Sequence, residues 1–274
     1  MDPYLKTKDF AVTGEEFELV YQEELQMLKT TPQPSNMDRY YESEEYISHT
    51  DSSSGFFNGL YQWVKSRSMQ RKLKLLEQFH KLPGGILDVG AGTGDFVIAA
   101  GDKGWESVGV EPNKLARKKA AMKGLQLKAE LGDAKRKFDA ITLWHVLEHL
   151  PNPEQSIDDL LSLLELNGTL VLALPNFKSW DARYYKRHWA AYDVPRHLWH
   201  FSQHSIDAIF KPRGYKIEAT YPLWFDAYYI SLLSEKYKGS KFPWLRAIVN
   251  GCRSNLNARQ NGEYSSLIYI LKRA

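Results

Sequence analysis

Four short stretches of this chain carry residue types whose spacing could do chemistry. The first is Asp88-Val89-Gly90-Ala91-Gly92-Thr93-Gly94-Asp95, where alternating glycines let the backbone turn sharply and approach a ligand with no Cβ in the way. A dinucleotide fingerprint needs its third glycine at position 95, which is Asp95 here. An acid beside a helix N-terminus repels a pyrophosphate, so the loop suits a ligand without phosphates. The second is Glu111 in Val110-Glu111-Pro112-Asn113, where a carboxylate can accept hydrogen bonds from both hydroxyls of a ribose. The third is Asp133 in Gly132-Asp133-Ala134, an acceptor for an adenine amino group. Each also has a plain structural reading: a turn for the glycines, a surface acid for Glu111, a loop aspartate for Asp133.

The fourth stretch is Trp144-His145-Val146-Leu147-Glu148-His149-Leu150. In a helical turn His145, Glu148 and His149 share one face. Two imidazoles and a carboxylate so placed could supply a general base or bind a divalent metal. They could equally brace the loop through hydrogen bonds. Further on, residues 176–201 crowd aromatics (Tyr184, Tyr185, Trp189, Trp199) among cations and histidines (Arg183, Lys186, Arg196, His197). Such a mixture suits a planar or anionic acceptor, with Trp189, Arg196, His197 and Trp199 as candidate substrate contacts. The alternative is a satellite apolar cluster under a long loop. A second insertion, 221–260, opens with Trp224, Phe225, Tyr228 and Tyr229, which could close a pocket or support a dimer.

The elements that must position these residues alternate strand with helix from residue 86 onward. The pattern predicts strands at 86–89, 108–110, 125–131, 138–143, 169–174, 215–220 and 267–271, with helices between most of them. Asn152-Pro153-Glu154-Gln155 predicts a capping box that starts a helix running to Asn167-Gly168, and Ser202 caps another. Residues 56–80 carry helical apolar spacing, and residues 9–31 read as short strands around Thr13-Gly14. The fold class is therefore α/β, a mainly parallel sheet with helices on both faces. In such sheets ligands bind at the carboxyl ends of the strands, where the first three stretches lie.

Composition narrows the function classes. The chain has 274 residues, a net charge of +3 and one cysteine, Cys252. The small charge makes nucleic acid an unexpected partner. One cysteine excludes an internal disulfide and a cysteine-based zinc site. No apolar run reaches membrane-spanning length and no leader pattern opens the chain, so the expected location is cytoplasmic, as a monomer or homodimer.

Leu87 through Gly94, then Glu111, Gly132-Asp133-Ala134 and Phe138-Asp139, resemble the ordered motifs of class I S-adenosylmethionine-dependent methyltransferases. The resemblance covers about residues 84–220 and implies a Rossmann-like seven-stranded sheet. It implies S-adenosylmethionine as cofactor and S-adenosylhomocysteine as product. Gly90, Ala91, Gly92 and Gly94 would then hold the methionine portion, Glu111 the ribose and Asp133 the adenine amine. Asp88, Pro112, Ala134 and Trp144 join the cofactor-binding set. Val146-Leu147-Glu148-His149 resembles a segment of ubiquinone-biosynthesis O-methyltransferases. Some relatives that methylate 2′-hydroxyls of RNA ends carry E-x-x-E-H here, with a later histidine, and bind a metal. His145 replaces the first Glu, so no metal is expected, the nearest ligand set being His145, Glu148, His149 and His197.

Residues 1–55 resemble a zinc-binding module in which Tyr21-Gln22-Glu23-Glu24 replaces C-x-x-C, a metal-free remnant that keeps its strands. Tyr46 and His49 would contact the cofactor as a lid, unless this part is a surface helix. Residues 56–274 would form the methyltransferase domain. The expected activity is methyl transfer to a small-molecule hydroxyl, with catalysis by His145, Glu148 and His149. Methylation of RNA or a modified nucleotide, and a non-catalytic cofactor-binding scaffold, are the alternatives.

Overall fold

The computed structural model describes residues 3–40 and 56–274, so Tyr46 and His49 lie outside the described residues. Its main sheet has six strands: β4 (Gly85–Val89), β5 (Glu106–Val110), β6 (Phe138–Trp144), β7 (Leu164–Pro175), β9 (Tyr215–Pro222) and β10 (Ser266–Arg273). Their order is β5-β4-β6-β7-β10-β9. Strands β5, β4, β6 and β7 pair in parallel, and β10 runs antiparallel to both its neighbours.

Alternate residues of each central strand serve opposite faces. Leu87, Val89, Ile141, Leu143, Leu170 and Leu172 enter one apolar cluster. Ile86, Ala140, Val171 and Ile268 enter another, against α1 (Phe56–Phe79) and α2 (Asp95–Asp102). Burial on both faces is why these strands read as continuous apolar runs. Helices α3 (Lys114–Met122), α4 (Pro153–Ser162) and α6 (Gln203–Phe210) complete the alternation.

Three local expectations are corrected. Residues 125–131 form no strand: Lys128 makes a single parallel bridge to Val110, and a 3-10 turn follows at Leu131–Asp133. Leu125 and Leu127 instead pack beneath Gly94 and Gly109, filling the space a side chain there would need. Among the described residues the sheet thus has six strands rather than seven. Helix α4 ends at Ser162, because Leu164 already pairs with Phe138 and starts β7 upstream of Asn167-Gly168. Asn152 makes no side-chain cap, and Gln155 bonds Asp159 instead. The Ser202 cap of α6 does form, as a box with Ser205.

A second, four-stranded antiparallel sheet has the order β1-β2-β3-β8, from β1 (Leu5–Lys8), β2 (Glu16–Gln22), β3 (Met27–Thr31) and β8 (Trp199–His200). Strand β8 comes from the 176–201 insertion, so the N-terminal strands and that insertion share a ladder. They also share a core: Phe17, Leu19 and Leu28 pack with Phe177, Tyr185 and Trp189. The insertion itself holds the short helix α5 (Trp180–Tyr185). Between β9 and β10 lie α7 (Asp226–Tyr237) and α8 (Pro243–Asn261), packed on each other.

Candidate active site

The glycine loop follows β4 and is tied to β5, with the Gly90 and Ala91 amides donating to the Val110 carbonyl at 2.8 and 3.0 Å. Gly90, Gly92 and Gly94 have φ of 70°, 55° and 80°, the left-handed region that L side chains avoid. A Cβ on Gly90 would also stand 2.4 Å from Val146 Cγ2, so the loop closes onto the segment after β6. Among the described residues, no atom comes within 4 Å of the Cβ position on Gly92.

Glu111 is buried at the end of β5 and grips two backbone amides, Gly92 N–H and Asn113 N–H, at 2.8 Å each. A carboxylate has about four acceptor positions, so two remain for hydroxyl donors. Asp133 is exposed in its 3-10 turn and Ala134 is buried beside it. A cavity of about 710 Å³ opens next to them, lined also by Val108, Lys128 and Phe138. Among the described residues it borders none of the other expected cofactor residues. Pro112 is exposed at the start of the turn into α3.

Asp88 is buried and accepts a 2.6 Å bond from Thr142 Oγ1. Burial pushes its carboxyl up to about 7, against the opposing pull of Thr142 and Lys72. Lys72, on α1, sits 4.1 Å over the Trp144 ring, and burial holds its ammonium below the usual lysine range. Trp144 also meets Phe96 edge-on at 5.5 Å, and its buried indole N–H has no acceptor among the described residues. Neither Lys72 nor Thr142 stands out in the sequence, since each lies within an ordinary helix or strand pattern.

The segment after β6 is a 3-10 turn at Leu147–His149, preceded by His145 in a left-handed conformation at φ 57°. That geometry splits the trio. His145 lies between Glu148, at 3.4 Å, and Asp226 at the start of α7, at 3.3 Å. Burial lowers its pKa, but Asp226 and then Glu148 outweigh burial and raise it to about 10. Glu148 is fully buried; its Oε1 meets His145 Nδ1 at 3.4 Å as an ion pair, and its Oε2 has no hydrogen-bond donor among the described residues. One ligand atom from each of Glu148, His149 and His197 lies within 4.8 Å of the others. His149 Nδ1 meets the Arg196 carbonyl and His197 Nδ1 the Ala191 carbonyl, both at 2.9 Å. A carbonyl only accepts, so in the neutral rings Nδ1 carries the proton and Nε2 keeps its lone pair. Burial, then His149, lowers His197 to about 4.

Residues 61–220 match a family model described as a methyltransferase domain, more than half of the chain. The chain belongs to that family. A ubiquinone biosynthesis O-methyltransferase of Alkalilimnicola ehrlichii is 28% identical over 102 residues, 33% of this chain and 41% of that relative. The matched part is thus well under half of the relative's length. Among solved structures, magnesium protoporphyrin IX methyltransferase from Synechocystis PCC 6803 with bound SAH superposes with a TM-score of 0.57 at 16% identity. That match covers 86% of this chain and 97% of that one. A mycolic acid cyclopropane synthase complexed with SAH and CTAB gives 0.52 at 15% identity, covering 74% and 83%. The fold is that of the S-adenosylmethionine-dependent methyltransferases.

Within this methyltransferase domain the insertion residues take places the sequence did not foretell. Arg196 is buried and donates to Asp193 Oδ1 at 2.6 Å, Asp9 Oδ1 at 2.9 Å and the Tyr40 carbonyl at 3.0 Å. It pins the N-terminal segment rather than facing open space. Trp189 is buried too, its indole donating to Asp181 at 2.7 Å. Trp199 is half-buried on β8 and donates to the Leu150 carbonyl at 2.9 Å. Of the four candidate substrate contacts, only His197 joins the Glu148–His149 cluster.

Proposed function

We propose that this protein is an S-adenosylmethionine-dependent methyltransferase acting on a small-molecule hydroxyl. One observation carries the cofactor assignment: Glu111 and the open Gly92 turn meet at the carboxyl edge, bonded to each other, with Asp88 beneath. Methyl transfer is an in-line displacement in which the acceptor oxygen attacks the sulfonium methyl carbon. Held by Glu111 and the glycine loop, the cofactor would supply the electrophilic methyl group, the sulfur keeping the electron pair of the broken bond and S-adenosylhomocysteine being the product. The cofactor supplies the reactive group, and the protein positions it and excludes water.

A hydroxyl acceptor must also lose its proton. His145, held positive between Asp226 and Glu148, is not a base. His149 fits that role: its Nδ1–H is fixed on the Arg196 carbonyl, which leaves Nε2 to take the proton. In labelled-methyl transfer to a panel of hydroxylated small molecules, His149→Ala should lower kcat by about 100-fold with S-adenosylhomocysteine binding retained. Unchanged turnover removes His149 from the mechanism, and label appearing only in RNA replaces the acceptor class.

A second reading, a divalent cation, is favoured by the buried Glu148 carboxylate, whose Oε2 has no hydrogen-bond donor among the described residues and which lies beside two imidazole nitrogens. The donor set of one carboxylate and two imidazoles fits zinc or manganese, with Glu148, His149 and His197 as the holders. Both imidazoles already have the backbone-carbonyl support that metal-bound histidines use. Bound there, a cation would polarise the acceptor oxygen. Thermal unfolding with added Mn²⁺ or Zn²⁺ tests this: a rise in Tm that Glu148→Gln abolishes supports it, and no rise rejects it.

A further inference from the structure

Helix α8 is built inside out. Its buried residues are Ala247, Asn250, Gly251, Ser254 and Ala258, small or polar, on the face packed against α7. Gly251 lets the helices close up, since a Cβ there would stand 2.6 Å from the Tyr228 ring. The large apolar residues follow the same spacing shifted back by two positions, Leu245, Ile248, Val249 and Leu256, with the exposed Cys252 among them at the edge, where its Sγ accepts from the Tyr228 hydroxyl at 3.7 Å. Two residues turn a helix by about 200°, so this stripe lies on the opposite, outer face. Leu245, Ile248, Val249 and Leu256, with Phe242 just before the helix, are 42–68% exposed. An amphipathic helix that packs on its own domain buries its apolar side, and this one presents it outward.

Charge separates the candidate occupants. Residues 236–262 contain six Lys or Arg and no Asp or Glu. All six (Lys236, Lys238, Lys241, Arg246, Arg253, Arg259) are exposed. A second copy docking by the same face would bring two cationic surfaces together. An anionic lipid surface complements both features, taking the apolar stripe between headgroups and the cations at the phosphates. The described helices include none long and apolar enough to cross a membrane, so the contact would be peripheral.

We propose that α8 docks this protein on an anionic bilayer. The helix is also tied to the segment beside the reaction site: the Asn255 side-chain amide of α8 donates to the Trp224 carbonyl at 3.0 Å, two residues before Asp226, which meets His145. The surface stands apart from the methyl-transfer reading, because vesicle binding tests one and S-adenosylhomocysteine binding the other.

The test uses the full chain with phosphatidylcholine vesicles, alone or with about one-third phosphatidylglycerol. The protein should co-sediment with the anionic vesicles only. A fluorophore on Cys252, the single cysteine and an exposed one, should shift to the blue as it enters the interface. Leu245→Glu with Ile248→Glu should weaken vesicle binding by about ten-fold or more, with Tm and S-adenosylhomocysteine binding kept. Arg246→Glu with Arg253→Glu should do the same. The proposal is overturned if the wild type ignores anionic vesicles or if the glutamate variant binds them as well as wild type. It is also overturned if the wild type is a dimer that this variant splits, with no vesicle binding.

Discussion

Asp88 is a carboxyl buried under the glycine loop, and its stability contribution runs opposite to that of a salt-bridged aspartate. Its folded pKa is raised to about 7, so the folded state holds the proton more tightly than the unfolded chain. The favourable contribution is present below the unfolded pKa and is lost as pH rises through about 7. Asp88→Asn keeps the Thr142 contact without the charge. Relative to that variant, the wild type should lose about 2 kcal/mol of stability between pH 5 and pH 8. Urea titrations at the two pH values check this, and a pH-independent difference would refute it. At this scale the sequence was informative where chemistry follows a strand end. The places of Glu111 and the glycines at two strand ends could be read from spacing, because the loop must turn and the acid follows the next strand. The fate of His145 could not be read, because its left-handed φ and its Asp226 partner arise only from the tertiary fold.

Among the elements, the 176–201 insertion shows how composition can mislead. Aromatics mixed with cations describe a substrate wall and a satellite core equally well. What decides is the partner, and the partners of Arg196 are Asp193 nearby and Asp9 far upstream. Removing the guanidinium leaves the buried Asp9 carboxylate without its counter-ion. Arg196→Met should therefore cost about 3–5 kcal/mol, seen as a lowered urea midpoint. A loss under 1 kcal/mol would show that the pair is not structurally needed. The other misread elements have equally local causes. Leu125 and Leu127 were apolar because they pack under glycines, not because they extend a ladder. The end of α4 was misplaced because Asn167-Gly168 looks like a helix stop but lies within β7.

For the whole molecule, the continuous burial of β4 and of most of β6, β7 and β10 made the α/β class legible, since a strand covered on both faces shows as an apolar run. The joining of the N-terminal strands to the insertion through β8 was not legible. Two residues of β8, Trp199 and His200, make that ladder, too short a run to carry a pattern. The result is a sheet whose carboxyl edge holds the glycine loop, Glu111 and the Glu148–His149–His197 cluster together. That arrangement makes cofactor binding the claim on which the account stands. Isothermal titration of the 274-residue chain with S-adenosylhomocysteine tests it most directly. Saturable one-site binding is predicted, weakened by Glu111→Ala by about ten-fold or more, or about 1.4 kcal/mol. No binding by the wild type, or equal binding by Glu111→Ala, would contradict the account.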